Sequence, residues 1–146
     1  MARTLRIVFV SLLLGSWAPA MSWALNTYTW TGASPGHVFT DPTSWSPARS
    51  SPRTDDILVF PALGESLVSG IGNQTVAQVV IASGGVYRFS SASPGTVTLT
   101  IAGDAGTDFD IDSGAVLTVT GSNAVQISLA NLATGRIAGD VHMEGS

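Results

Sequence analysis

The chain has 146 residues, room for one ordinary domain, which excludes functions that need several catalytic subdomains. It contains no cysteine, so small disulfide-stapled secreted folds are excluded as well. Six Arg and no Lys stand against ten acidic residues, and a surface of that sign repels phosphate backbones, which excludes nucleic acid as a partner.

At the start, Arg3 and Arg6 precede an apolar run from Ile7 to Leu14, and small residues follow, which is the plan of a secretory leader. The run is shorter than the roughly 20 apolar residues needed to cross a bilayer, so a retained anchor is the poorer reading. Small-x-small triplets stand at Ala18-Pro19-Ala20 and Ser22-Trp23-Ala24, and patterned sequence begins directly after the second. The leader is therefore expected over residues 1–24, with a mature chain from Leu25 that is secreted, either extracellular or on an outer-membrane surface. Four Arg would then face ten acids, a net charge of about −6.

Beyond the leader, short β-branched runs bounded by Gly, Asp, Asn or Ser recur, and amphipathic stripes of helical period are missing. The class is all-β. Residues 25–64 hold Trp30, Trp45 and five of the seven prolines and read as an N-terminal cap; residues 65–146 alternate more regularly and read as repeats.

Val97-Thr98-Leu99-Thr100-Ile101-Ala102-Gly103-Asp104 lies eighteen residues before Ala115-Val116-Leu117-Thr118-Val119-Thr120-Gly121-Ser122, and Ile137-Ala138-Gly139-Asp140 continues the same step. Phe109 and Ile111 map likewise onto Ile127 and Leu129, and a step of twenty sets Val79 and Ile81 on Leu99 and Ile101. This spacing predicts a parallel β-helix, or β-solenoid, with coils of 18 to 20 residues in which Leu99 lies on Leu117 and Phe109 on Ile127. Val97, Leu99 and Ile101 should point inward and Thr96, Thr98 and Thr100 form outer ladders, while Gly103, Gly121 and Gly139 turn the corners. The alternative with the same strand spacing is a β-sandwich. The sequence stops at Val141–Ser146, partway through a coil and without a polar capping turn. That predicts a C-terminally truncated solenoid whose open edge takes a continuation of the solenoid or a partner.

Tyr28-Thr29-Trp30-Thr31-Gly32, then Asp41-Pro42 and Ser44-Trp45, then Pro52 and Asp55-Asp56-Ile57-Leu58-Val59-Phe60, resemble the N-terminal segment of bacterial autotransporter-type, parallel β-helix surface proteins. In that group a W-x-G element, a second Trp usually written Asn-Trp, and a P…D-x-x-x-F element lead into Gly-rich coils; Ser44 replaces the usual Asn here. The resemblance covers about a quarter of the chain and carries over no catalytic residue. It implies a surface-exposed passenger region, normally followed by further coils and often by a membrane anchor or outer-membrane barrel.

Two sets of residues are candidates for binding. Asp108, Asp110 and Asp112 alternate with Phe109 and Ile111, so on a strand they would share one outward face, where closely spaced carboxylates can take up Ca²⁺; the structural reading of the same residues is a solvated acidic face. Trp30 and Trp45 would cover the first coil, or stack on a glycan. No other cofactor is implied. His37 and His142 lie in different zones and form no metal pair, Gly70-Ile71-Gly72 lacks the third glycine of a dinucleotide loop, and no Gly-x-Ser-x-Gly elbow occurs. The expected function is a non-catalytic structural or adhesive solenoid contacting host or neighbouring cell surfaces. A glycan- or calcium-binding module is the alternative, and a polysaccharide-acting β-helix enzyme a more distant one.

Overall fold

The computed structural model describes residues 26–33, 36–103, 106–120 and 125–144. The expected leader and Gly121 lie outside the described residues.

The alternating segments form short strands that close into coils. A lid strand β1 (Asn26–Trp30) and a short β2 (Trp45–Ser46) come first. The first coil is β3 (Asp56–Phe60), β4 (Glu65–Ile71) and β5 (Gln74–Val76). The second is β6 (Gln78–Ile81), β7 (Val86–Ser91) and β8 (Val97–Ile101). The third is β9 (Phe109–Ile111), β10 (Val116–Val119) and β11 (Val125–Leu129). The last begins with β12 (Gly135–Ile137) and β13 (Asp140–Met143).

Every strand from β6 onward pairs with the third strand before it, so three sheets run along the molecule: β1-β3-β6-β9-β12 with β2 at its edge, β4-β7-β10-β13, and β5-β8-β11. Pairing is parallel throughout except between β1 and β2. This is a β-solenoid of about four turns, as the sequence predicts, and not a sandwich. The strand β3, which the sequence places inside the cap, is already the first rung of the ladders.

The coil length differs from the expectation. Leu99 pairs with Gln74 on one side and Ile127 on the other, Leu117 pairs with Tyr87, and Phe109 lies between Val79 and Gly135. Leu99 therefore does not lie on Leu117, nor Phe109 on Ile127. The registers Ile57↔Gln78, Val79↔Phe109 and Phe109↔Gly135 give successive coils of 21, 30 and 26 residues. The eighteen-residue echo joins β8, β10 and β12, every second strand, whereas stacking needs every third. The strands share an alternation of inward and outward side chains with a largely apolar inner face, so pattern matching registers strand spacing as readily as coil length.

The true repeat is visible at one corner. Ile81-Ala82-Ser83-Gly84-Gly85-Val86 precedes Ile111-Asp112-Ser113-Gly114-Ala115-Val116 by thirty residues, and Ile81 pairs with Ile111 as Val86 does with Val116. Gly84 and Gly114 both take positive φ there, +80° and +77°, a conformation that other residues adopt only under strain. The Ser83 hydroxyl donates to the Ser113 carbonyl and ties the two corners together. Gly103 and Gly139, predicted as corner residues, are required for a different reason: a side chain on Gly103 would run into the Asp108 carboxylate and the Ala77 carbonyl, and one on Gly139 into the carbonyls of Ala115 and Asp112.

Inward positions fill a continuous apolar column. Leu58 and Val79 lead to Phe109 in one file, and Phe60, Ile81 and Ile111 in the next, all of them buried. Val97, Leu99 and Ile101 are also buried, while Thr98 and Thr100 remain partly exposed on the outer face, Thr100 between Thr75 and Ser128. The N-terminal end is closed by aromatic rings. Trp30 meets Trp45 edge to face at 5.0 Å, and Trp45 meets Phe39 at 5.2 Å and Phe60 at 5.6 Å. Such edge contacts between ring quadrupoles add to the area that the rings bury.

Candidate functional site

Trp30 and Trp45 lie within the core, 0% and 3% exposed, with the Trp30 indole N–H donating to Ser66 Oγ and that of Trp45 to the Phe39 carbonyl. Neither ring presents a face on which a sugar could stack, which removes them as a glycan platform. They serve as the cover of the first coil, because a solenoid end without a preceding turn must shield its apolar column by other means.

Beneath that lid Arg49 and Asp56 form an ion pair. Arg49 Nε donates to Asp56 Oδ2 at 2.7 Å, with both side chains removed from solvent. The remaining guanidinium N–H groups reach Gln74 Oε1 at 3.2 and 3.3 Å, and the cation lies 5.5 Å from the centre of the Phe39 ring and 5.7 Å from that of Trp45. Asp56 Oδ2 also accepts from the Arg53 backbone N–H, while Asp56 Oδ1 is buried without a partner. The pair ties the cap loop to the first coil at both β3 and β5. No single position in the sequence advertises it: Arg49 stands in a Pro- and Ser-rich stretch and finds Asp56 only once the loop folds back.

The three aspartates proposed for calcium do not share one face. Asp108, 3% exposed, turns into the corner, where its Oδ2 accepts from the Thr134 backbone N–H. Asp110 and Asp112 do face outward, but Arg136 of the next coil donates to both, at 2.8 Å and 2.6 Å. The two carboxylates raise the Arg136 guanidinium above its ordinary pKa, through its hydrogen bond to Asp110 first. Among the described residues no three His, Cys, Asp or Glu side chains come together as a metal site. The acidic strand is thus balanced across coils by an arginine whose register partner is Asp110 itself.

On the outer faces one further ion pair also joins separate coils. Arg88 on β7 spans β10 to reach Glu144 at 2.8 Å. His37 and His142 lie apart: the His37 carbonyl accepts from the Ser69 backbone beside the lid, whereas His142 belongs to β13. Along the ladder β5-β8-β11 the outer face carries the short hydroxyl side chains of Thr75, Thr100 and Ser128 in register.

The two ends of the solenoid differ. At the N-terminal end Phe60, Val68, Ile71 and Val76 are fully buried beneath the lid. At the C-terminal end Leu129, Ile137, Val141 and Met143, inward-facing by register, line an open apolar mouth, with Ile137 58% and Met143 72% exposed. Compared with what is known of other proteins, the chain matches no protein family, no curated protein and no solved structure.

Proposed function

We propose that this chain is a secreted, surface-exposed β-solenoid of the autotransporter passenger type, a structural and adhesive scaffold without catalytic turnover. The observation that carries this reading is the outer surface: the ladder β5-β8-β11 presents a row of short polar side chains, Thr75-Thr100-Ser128, and outward charges pair from coil to coil at Arg88 with Glu144 and at Arg136 with Asp110 and Asp112. A surface of that kind suits many weak, repeated contacts with another surface better than a single convergent site, which needs several polar groups aimed at one point. The N-terminal leader pattern and the Trp30, Trp45 and Asp56–Phe60 elements support export and the passenger resemblance.

Adhesion is tested by coating beads with the purified chain and counting those retained on a lawn of bacterial or host cells. Saturable retention that soluble chain competes away is the expected result. Retention equal to that of albumin-coated beads on every surface tried removes the adhesive part of the reading.

A further inference from the structure

One polar side chain at the edge of the first coil is only half used. Asn73 stands exposed in the bend between β4 and β5, and its side-chain oxygen accepts from the Thr98 backbone N–H at 2.7 Å. A backbone N–H can only donate, so the atom that faces Thr98 is Oδ1, and Nδ2 is turned away from it. Among the described residues Nδ2 has no hydrogen-bond partner. Capping Thr98 needs an acceptor alone, which an aspartate would supply equally, and leaves the amide nitrogen without a structural task.

Asn73-Gln74-Thr75 is an Asn-x-Thr sequence whose middle residue is not proline, the pattern of an acceptor for N-linked sugar. Of the four asparagines in the chain, only Asn73 has Ser or Thr two residues on. The fold displays this triplet as an acceptor requires. Side chains alternate along an extended segment, so Gln74, in register with the buried Leu99, turns inward to meet Arg49, while Asn73 and Thr75 share the outer face. The amide and the hydroxyl are thus presented together, and the residue between them is withdrawn. The approach is open as well: β5 is an edge strand of its sheet, and a side chain built on Gly72 would meet nothing within 4 Å.

We propose that Asn73 is a site of N-linked glycosylation. Nδ2 attacks the anomeric carbon of a sugar activated as a diphosphate ester. The N–C bond forms as the C–O bond to the diphosphate breaks, the diphosphate leaves with the bonding pair, and one Nδ2 proton passes to a base of the transferase. Oδ1 takes no part and keeps its bond to Thr98, so the modified side chain fits the same fold. A bulky hydrophilic group at this point shields the edge of β5 from pairing with another strand. The proposal goes beyond the scaffold reading and does not depend on adhesion.

Mass spectrometry of the protein purified from the cells that encode it tests this. The tryptic peptide that ends at Arg88 and begins after Arg53 contains Asn73 as its one asparagine, and fragmentation should place a sugar on that residue. A single sugar identifies a nucleoside diphosphate sugar as donor, and a preassembled oligosaccharide a lipid-linked diphosphate. Asn73→Asp, which retains the oxygen facing Thr98, and Thr75→Val, which retains the shape of the side chain, should each abolish the modification, while Thr75→Ser should retain it. Circular dichroism of the variants should match that of the parent chain, since neither substitution removes a bond that the fold needs. An unmodified peptide from the parent chain overturns the proposal, as does sugar on Asn73 that survives Thr75→Val.

Discussion

Arg49 and Asp56 meet at 2.7 Å inside the protein, one from the cap loop and one from the first coil, with neither side chain open to water. Separating one from the other leaves a charge stranded in a medium that solvates it poorly, a loss of about 3–5 kcal/mol. Arg49→Ala and Asp56→Ala should each lower the urea midpoint accordingly. The double change Arg49→Met with Asp56→Leu should recover most of that loss, since a well-packed apolar pair avoids the desolvation cost. Equal losses in the double and single variants would contradict this account of the cap.

Glycines at corners divide into two kinds. Gly139→Ala forces a methyl group into the carbonyls of Ala115 and Asp112 and should destabilise by roughly 1–3 kcal/mol. Gly72 has open space around it and no positive φ, so Gly72→Ala should be neutral or slightly stabilising, by under about 1 kcal/mol. Thermal melts of the two variants side by side separate the sterically required glycine from the unconstrained one.

Leu132 takes φ +75° in the turn before β12 and is 83% exposed, a position that strains a branched side chain and buries little of it. Leu132→Gly should therefore raise stability by about 1 kcal/mol, read as an upward shift of a few degrees in the melting midpoint. A fall would show that Leu132 makes contacts that the folded chain needs.

Burial pushes the Tyr87 phenol up to about 12, against the lowering effect of a hydrogen bond from the Leu63 backbone. The folded state prefers the neutral phenol, so this contribution is whole below about pH 10, where both states are protonated. As pH rises further, the unfolded chain loses its proton first, and stability should fall by about 1.4 kcal/mol per pH unit until the folded phenol ionises too. Melts between about pH 9 and pH 11.5 test this, with Tyr87→Phe giving a shallower slope.

Much of the architecture was legible in the chain because inward residues alternate wherever a strand has one buried face: Val97, Leu99 and Ile101 announced β8 and its orientation correctly. The register was not, because neighbouring faces carry the same alternation and only a corner distinguishes them. The thirty-residue echo of Ile81-x-Ser83-Gly84 in Ile111-x-Ser113-Gly114 held that information, in a turn rather than in the strands. The ligand candidates failed for a related reason. Asp108 looks equivalent to Asp110 and Asp112 until the corner turns it inward, and the bridge from Arg136, twenty-six residues from Asp110, to both remaining carboxylates is evident only once the coil length is known.

Whether successive coils lie in this register is tested by pairs of cysteines in a chain that has none of its own. Thr100 and Ser128 are outward neighbours on adjacent parallel strands, which lie about 4.8 Å apart, within reach of a disulfide. Thr100→Cys with Ser128→Cys should form an intramolecular bond readily under mild oxidation, and Thr100→Cys with Thr118→Cys, the pair eighteen residues apart, should stay reduced. Bond formation in the second pair and not in the first would contradict the stacking described.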